Sequence, residues 1–295
     1  MHTTPADWAV KIFSYVFIGV IAVVCLLPLI MVFSVSFSDN FTVTNLGYSF
    51  LPQKFTLDTY RYLFIHSGMR ILRSYGVTIG ITIVGTACAM LLTSMIAFAI
   101  SIKSLKYRNG IAFFCNFTII FSAGLIPWYI VCTQWYHMMD SYFGLLLPSM
   151  FSVWNMFLMR TYFSAVPDSL YESAKLDGAS WFKIYWKIAV PLSKTAMLTV
   201  GLMYALAYWN DWWNALMFIN DRDMFPLQYF LYNILSNVNA LSSGRIPAGA
   251  AANLKLPAET VKMAVTIITI GPIIFLYPFI QRYFVDGIMT GAVKE

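Results

Sequence analysis

Long stretches without a charged residue are the feature that most constrains this chain. A helix rises about 1.5 Å per residue, so about 20 uncharged and mostly apolar residues are needed to cross the hydrocarbon core of a bilayer. Six such stretches follow one another, the fifth interrupted by Asp211 alone, and we expect each to be a membrane-spanning helix. They cover residues 12–37, 74–102, 110–136, 141–159, 195–220 and 263–281.

The amino-acid composition agrees with a membrane protein. Hydrophobic residues make up 59% of the 295 positions and charged residues 11%, whereas soluble domains contain about 45–50% and about 25% respectively. So little charge cannot solvate a globule of this size, which argues against a soluble enzyme. The net charge of +6 does not indicate nucleic-acid binding, because the basic residues lie between the apolar stretches and form no single stripe.

The positions of the basic residues indicate how the spans are oriented. Cytoplasmic loops are enriched in Lys and Arg, and here these residues concentrate in the loops after the second and fourth spans, while the loop after the third has none. They are Lys103, Lys106 and Arg108 in one loop and Arg160, Lys175, Lys183, Lys187 and Lys194 in the other. We therefore place both loops and both termini in the cytoplasm, and residues 38–73 and 221–262 outside. Residues 12–37 are expected to be a retained span, because the stretch is too long for a cleaved signal peptide.

The residue types that commonly bind metals or catalyse reactions form no motif here. The cysteines lie in or at the ends of the apolar stretches without C-x-x-C spacing, so we expect buried thiols, no zinc site and no disulfide framework. The histidines lie outside the stretches, and neither H-E-x-x-H, G-x-S-x-G nor G-x-x-x-x-G-K-[S/T] occurs. The residues are Cys25, Cys88, Cys115, Cys132, His2, His66 and His137. We predict a non-catalytic chain with no metal site and no cofactor of its own.

Residues 160–194 combine charged residues with many large apolar side chains. The order Pro-Asp-Ser, followed three residues later by Glu, predicts a helix that Ser169 caps while Glu172 reaches back. Gly178 is expected to end this helix in a left-handed conformation, and a second helix is expected to start at Ser180. The result is a helix-turn-helix at the cytoplasmic membrane surface. On periodicity alone, a pair of interfacial helices that only seats the protein explains the segment equally well.

The residue pattern of this segment resembles the EAA loop of the membrane subunits of bacterial ABC importers. In that loop, E-A-A is followed by D-G-A and by an apolar-Pro ending before the next span. The matching residues are Glu172-Ser173-Ala174, Asp177-Gly178-Ala179, Phe182, Ile188 and Pro191-Leu192. Ser173 departs from the usual Ala, which is a change between small residues. Further similarity to carbohydrate-importer permeases of the maltose-system type lies in Phe55 to Tyr60, Trp209-Asn210 and residues 281–294.

The resemblance implies an all-α polytopic protein of the bacterial inner membrane, with one permease domain of six transmembrane helices of the MetI-like type. Such a permease pairs with a second, similar permease, expected here as a heterodimer, and sits on two ABC ATPase subunits. It receives sugar from an external solute-binding protein, and the ATPase partners bind ATP and magnesium. No nucleic-acid partner is implied. The residues that the resemblance assigns to coupling are Glu172, Ser173, Ala174, Asp177, Gly178 and Ala179.

The fifth stretch carries an unusual density of aromatic and amide residues around its one acidic residue. Sugars stack on aromatic planes and donate their hydroxyls to amides and carboxylates, so we expect this cluster to face the translocation path. Its residues are Tyr208, Trp209, Asn210, Asp211, Trp213 and Asn214, with Asn155 in the fourth stretch. An aromatic belt at the outer interface would explain the tryptophans, but polar groups inside a span usually face a cavity or a partner helix.

Two other classes of protein are alternatives. An ion-coupled secondary transporter or channel would carry ionisable relays or repeats in its spans, and Asp211 is the one such group in the six stretches. An intramembrane enzyme would need paired catalytic groups at membrane depth. Co-purification separates these classes, because the resemblance implies an ATPase partner and a secondary carrier has none.

Overall fold

The computed structural model describes residues 5–242, 259–272 and 274, and the regular structure of this part of the chain is helical. The helices in chain order are α1 (Pro5–Ser36), α2 (Asn40–Leu46), α3 (Asp58–Ser101), α4 (Arg108–Ile120), α5 (Leu125–Ile130), α6 (Tyr142–Leu146), α7 (Val153–Ala165), α8 (Asp168–Leu176), α9 (Trp181–Ile184), α10 (Val190–Leu192), α11 (Lys194–Trp209), α12 (Trp213–Phe218), α13 (Leu227–Ser242) and α14 (259–272). Short π-helical turns at Val131–Trp135 and Tyr185–Ala189 follow α5 and α9.

Two of the described helices are long and apolar enough to cross a membrane unaided, namely Val10–Ser36 within α1 and the whole of α3. With 44 residues, α3 is about 66 Å long, roughly twice the thickness of the hydrocarbon core. It begins at Asp58 and not at residue 74, so the second half of the predicted external loop 38–73 is largely helical. Two further pairs of helices meet the same criteria only when the two members of a pair are counted as one bent span. In the first pair, α4 and Leu125–Trp135 meet at 113°. In the second, Trp181–Leu192 and α11 meet at 86°.

The stretches predicted as the third, fourth and fifth spans are each interrupted, which the apolar pattern did not reveal. The breaks lie at residues 121–124, 147–152 and 210–212. Gly124 adopts a φ of +87° in the first break, and Pro148 removes a backbone donor in the second. In the third, the carboxylate of Asp211 accepts the backbone N–H of Asn214 at 3.0 Å. Non-helical backbone at membrane depth is tolerated where it is buried in protein or lines a cavity.

The described residues belong to two compact units. Among these residues, the first unit comprises 5–69, 231–242 and 259–272, and the second comprises 70–230 and 274. In the first unit, Leu63 of α3 packs with three residues of α14, which are Val261, Ala264 and Val265. The predicted sixth span begins within α14, and its residues 275–281 lie outside the described part of the chain, as does the C-terminal tail.

Polar contacts of the first unit tie the predicted external loop to the start of α14. The hydroxyl groups of Thr59 and Thr260 are joined at 2.8 Å, and the phenol of Tyr48 donates to the carboxylate of Glu259 at 2.6 Å. The Glu259 acceptor and partial burial raise the pKa of Tyr48 to about 12. Tyr48 therefore stays protonated and keeps its donor role over the physiological pH range.

The core of the second unit combines large apolar side chains with hydrogen bonds between helices. Tyr204 of α11 is 2% exposed. Its hydroxyl is joined to that of Thr93 of α3 at 2.6 Å, and it accepts the backbone N–H of Ser152 at the start of α7 at 2.9 Å. Hydrogen bonds of this kind hold helices together in lipid, where apolar contacts alone give little driving force.

The cysteines follow the predicted pattern only in part. Cys115 and Cys132 are buried, whereas Cys25 and Cys88 are exposed. The expectation of four buried thiols is therefore wrong for Cys25 and Cys88, because they lie on outward faces of α1 and α3. Within the described residues, no group of three or more His, Cys, Asp or Glu side chains is placed to hold a metal ion.

A tight turn before α6 fixes the end of α12. Asp140 has a φ of +47°, and its backbone N–H donates to the carbonyl of Phe218 at 2.8 Å. Its carboxylate accepts the backbone N–H groups of Asn220 at 2.6 Å and of Asp221 at 2.9 Å. These bonds, with that to Asp221 contributing most, hold the pKa of the Asp140 carboxyl below its ordinary value of 3.8.

Replacing Asp140 by Asn or by Ala should lower the stability of the fold, and Ala should lower it more. Asp140→Asn keeps a residue that tolerates positive φ but loses the charge that strengthens both bonds, while Asp140→Ala also adds backbone strain. We expect the unfolding temperature to fall in that order at pH 7. Because the pKa is lowered in the folded chain, the charge stabilises the fold above pH 3.8, and this stabilisation is lost as the pH falls through the lowered pKa. The gap between wild type and Asp140→Asn should therefore narrow on acidification. An equal gap at pH 7 and pH 3 would contradict this account.

Candidate functional site: a coupling turn and an opening at three helix breaks

The predicted end of the first helix in residues 160–194 is confirmed. Gly178 has a φ of +78° and terminates α8 in a Schellman motif. Its N–H donates to the carbonyl of Lys175 at 3.0 Å, and the N–H of Ala179 donates to that of Ala174 at 2.9 Å. A left-handed residue is required at this position, and glycine adopts that conformation without steric cost.

The predicted start of the second helix is also confirmed, because the hydroxyl of Ser180 accepts the N–H of Lys183 at 3.3 Å and caps α9. The predicted capping of α8 by Ser169 and Glu172 is wrong. α8 begins before Ser169, with Pro167 at the N-cap position and no side-chain cap. Pro167 already supplies the extended conformation of an N-cap (φ −57°, ψ 131°), so Ser169 falls within the first turn and Glu172 lies on the exposed surface of the helix.

Phe98, near the end of α3, anchors the turn between α8 and α9. Its ring centre lies 5.4 Å from that of Tyr185, 5.8 Å from that of Tyr171 and 6.4 Å from that of Trp181. The hydroxyl groups of Tyr185 and Ser94 of α3 are joined at 2.6 Å. Since Phe98 is 5% exposed, a displacement of the α8–α9 turn has to move the end of α3 with it.

Tyr171 connects α8 to α7 as well. Its phenol donates to the carbonyl of Phe163 at 3.4 Å, and burial together with the charge of Asp168 raises its pKa to about 12. The carboxylate of Asp168 also pairs with Lys103, just beyond the end of α3. That ion pair is largely exposed, so it contributes about 0–1 kcal/mol, and the aromatic contacts supply most of the attachment.

The six residues assigned to coupling divide between two sides of the turn. Ala174 and Ala179 are half-buried and pack against the core, while the other four are exposed, namely Glu172, Ser173, Asp177 and Gly178. Leu176 at the end of α8 is 90% exposed. Phe182 of α9 is also exposed, at 62%. The outer side of the turn therefore presents large apolar side chains, of which Leu176 is the most exposed, next to polar groups.

The three helix breaks meet at one opening. It has a volume of about 580 Å³, which is in the range of about 300–1,000 Å³ typical of ligand sites. The lining residues are Ser122, Ala123 and Gly124 of the first break, Leu125 and Trp128 of α5, Pro148 and Ser149 of the second break, and Trp213 and Asn214 of α12, directly after the third break.

A hydrogen-bonded group of three polar side chains lies at this opening. The amide of Asn214 donates to Asp211 at 2.6 Å and to the hydroxyl of Ser149 at 3.1 Å. Ser149 in turn donates to Asp211 at 3.5 Å, so the carboxylate connects the second break to the third. Sequence reasoning missed Ser149. The signal was present in Pro148-Ser149, a helix-breaking and a polar residue next to each other in an apolar stretch.

The other residues predicted for the translocation path are divided. Trp213 lines the opening and is 42% exposed. Asn210 is exposed, and its amide donates to the carbonyl of Leu206. Trp209 and Asn155 are buried, with the backbone N–H of Asn155 bound by the cap of α7.

Tyr208 is a core residue in the described structure. It is 2% exposed, and its phenol donates to the carbonyl of Leu146 at 2.8 Å. A Cβ added to Gly85 of α3 would lie 2.6 Å from its ring, so glycine is required there for α3 and α11 to approach each other. Tyr208 therefore supports the opening by packing α11 on α3.

Comparison with known proteins places this arrangement in a family. Residues 107–290 match the family described as "Binding-protein-dependent transport system inner membrane component". The chain is 35% identical to "Protein LplC" of Bacillus subtilis (strain 168) over 296 residues, covering 100% of this chain and 98% of the relative. It is also 35% identical over 287 residues to the "Polygalacturonan/rhamnogalacturonan transport system permease protein YtcP" of the same organism, covering 95% and 96%.

A solved structure has the same fold. It is described as a bacterial ABC transporter involved in the import of the acidic polysaccharide alginate, and one of its chains superimposes with a TM-score of 0.83 at 30% identity, covering 96% of this chain and 99% of that one. The matched region 107–290 includes the α8–α9 turn and all three helix breaks. This chain belongs to the family of binding-protein-dependent transport system inner membrane components.

Proposed function

We propose that this chain is the membrane subunit of an ATP-driven importer and forms half of the translocation path for a sugar or oligosaccharide. It pairs with a second permease, as a heterodimer, on two ABC ATPase subunits in the bacterial inner membrane. An external solute-binding protein delivers the substrate, and ATP and magnesium bind to the ATPase partners. The chain itself is not catalytic.

The observation that carries the proposal is the α8–Gly178–α9 turn. Its aromatic residues fix it to the end of α3 through Phe98, and its outer side presents Glu172 and the 90%-exposed Leu176. A turn attached in this way can transmit movement, because a partner bound to its outer side displaces α3 on its inner side. The EAA pattern of the turn points to an ATPase groove as that partner.

The opening at the three helix breaks supports a sugar as the substrate. Trp213 is 42% exposed and offers an aromatic plane, and Ser149 and the largely buried Asn214 place polar groups along the same opening. Aromatic planes beside polar groups are what sugar rings and hydroxyls require. The relatives named for polygalacturonan or rhamnogalacturonan transport and for alginate import point to the same substrate class.

The orientation is tested by labelling in intact cells, in a chain whose four native cysteines have been replaced. A cysteine at Asn109, in the predicted cytoplasmic loop, should resist a membrane-impermeant thiol reagent, whereas one at Asn239 should react. Both positions are exposed, so burial does not account for a difference between them. The reverse labelling pattern would overturn the proposed placement of loops and termini.

The function itself is tested by purification and uptake. The tagged chain should co-purify with an ATPase, and vesicles containing the complex should take up oligogalacturonides or alginate oligosaccharides only when ATP and the binding protein are present. Uptake that follows an ion gradient, by a chain that purifies without an ATPase, would support the ion-coupled transporter in place of the importer.

A further inference from the structure

A second cavity, of about 370 Å³, lies beside the coupling turn. One wall is formed by Phe98 of α3 with Ile102 and Leu105 beyond its end, and the other by Trp181 and Phe182 of α9. The volume lies in the range of about 300–1,000 Å³ that ligands occupy. All five of these side chains are apolar or largely so, and the cavity therefore suits a hydrocarbon chain and not a sugar or nucleotide.

The two chain segments that form the walls carry only positive charge. No Asp or Glu occurs in residues 74–139 or in residues 178–210, and both walls lie within these segments. On the neighbouring α8, Asp168 and Glu172 line an adjacent cavity that shares Ile102 and Trp181, and Asp168 is paired with Lys103. Lys106 follows Leu105 directly, Lys183 follows Phe182 directly, and both lysines are exposed. Among the ion pairs of the described residues, none involves either lysine.

We propose that this cavity binds an acyl chain of an anionic phospholipid of the cytoplasmic leaflet, with the headgroup phosphate against Lys106 and Lys183. The proposal rests on the cytoplasmic placement of this loop given under Proposed function. Basic pockets beside transmembrane helices on the cytoplasmic side attract anionic headgroups, and the apolar walls add the burial of the chain. A zwitterionic phospholipid fills the same walls but gains less from the lysines, because the cation of its headgroup offsets the charge of its phosphate. The site therefore favours phospholipids with a net negative charge.

Occupancy of the cavity affects coupling, because Phe98 and Trp181 belong both to its walls and to the aromatic cluster that fixes the α8–α9 turn. An acyl chain between the walls fills the space into which Trp181 would otherwise move. The turn then stays attached to α3 when the ATPase pulls on it. Anionic lipid therefore increases the stimulation of ATP hydrolysis by the loaded binding protein.

The test uses the complete importer in nanodiscs of phosphatidylcholine, alone or mixed with phosphatidylglycerol, with bound lipid counted by native mass spectrometry. Wild type should retain phosphatidylglycerol in preference to phosphatidylcholine. The double variant Lys106→Gln/Lys183→Gln should retain it about 25-fold more weakly, at about fivefold for each base. The matched control Lys54→Gln/Arg61→Gln removes two exposed bases from the predicted external side and should behave as wild type.

A second variant tests the apolar part of the site. Ala99 lines the cavity, and Ala99→Trp should fill it and remove bound lipid of either headgroup. Equal retention of the two lipids by wild type, or unchanged retention in the double lysine variant, would overturn the proposal. So would a complete complex that retains no lipid because the ATPase covers the cavity. The proposed function fails separately, if the complex transports neither probe sugar in any lipid.

Discussion

A Gly178→Leu variant is expected to insert and assemble normally and yet to lose most of its transport. Gly178 has a φ of +78°, a conformation that costs a residue with a side chain roughly 1–2 kcal/mol. A Cβ at this position meets no atom within 4 Å, so the cost comes from the backbone and not from a clash. The Schellman motif should then open and α8 should turn away from its partner, lowering the population of the docked turn about tenfold.

Two other substitutions make this expectation specific. Gly178→Asn should be milder, because Asn tolerates the left-handed conformation better than other residues. Gly110→Leu is the matched control, since Gly110 also has open space around an added Cβ but lies in α4 without a positive φ. ATP hydrolysis in reconstituted vesicles should respond to the loaded binding protein in the control and not in Gly178→Leu. Normal stimulation with normal uptake in Gly178→Leu would show that this turn is not the coupling element.

The second large effect is expected at Asp211. Its carboxylate accepts the amide and backbone N–H of Asn214 and the hydroxyl of Ser149, so Asp211→Ala removes the acceptor that these donors share at the junction of two breaks. Hydrogen bonds to charged groups contribute about 1.5–3 kcal/mol. Losing the free energy of one such hydrogen bond destabilises the arrangement of side chains at the opening, and we expect uptake to fall at least tenfold. The α8–α9 turn is not altered, so the amount of ATPase bound should not change.

Matched variants separate charge from shape at this position. Asp211→Asn keeps an acceptor of the same size without the charge and should retain more uptake than Asp211→Ala. Asn210→Ala, in the same break but on an exposed residue, should have little effect. Uptake and the amount of co-purified ATPase are measured together. Unchanged uptake in Asp211→Ala removes the path role of the cluster, and failure to assemble shows that the cluster serves packing.

The α8–Gly178–α9 turn could be predicted from the sequence because its signals are local. A glycine after an amphipathic segment and a serine before the next one act within a few residues, and Gly178 and Ser180 occupy the predicted roles. The error at Ser169 has an equally local cause, since Pro167 also satisfies the requirements of an N-cap. Pro167 and Ser169 lie two residues apart and both can begin a helix. The sequence pattern does not show which of the two the chain uses.

The opening could not be predicted, because it depends on contacts between distant parts of the chain. Hydropathy shows that residues 141–159 are apolar but not that α6 ends at Leu146 and α7 starts at Val153. Likewise, Tyr208 and Trp213 are equivalent in an aromatic-rich stretch. Because the helix is interrupted at residues 210–212, Tyr208 lies in the core and Trp213 lines the opening.

Cross-linking at Leu176 tests most directly whether an ATPase subunit binds the outer side of the α8–Gly178–α9 turn. In a cysteine-free chain, Leu176→Cys replaces the most exposed apolar residue of the turn, and Leu46→Cys, 70% exposed in the predicted external loop, is the control. With a short thiol-reactive cross-linker in membranes, Leu176→Cys should join the chain to an ATP-hydrolysing subunit, and Leu46→Cys should not. A chain that purifies without an ATPase, or that forms no cross-link from position 176, would contradict the account.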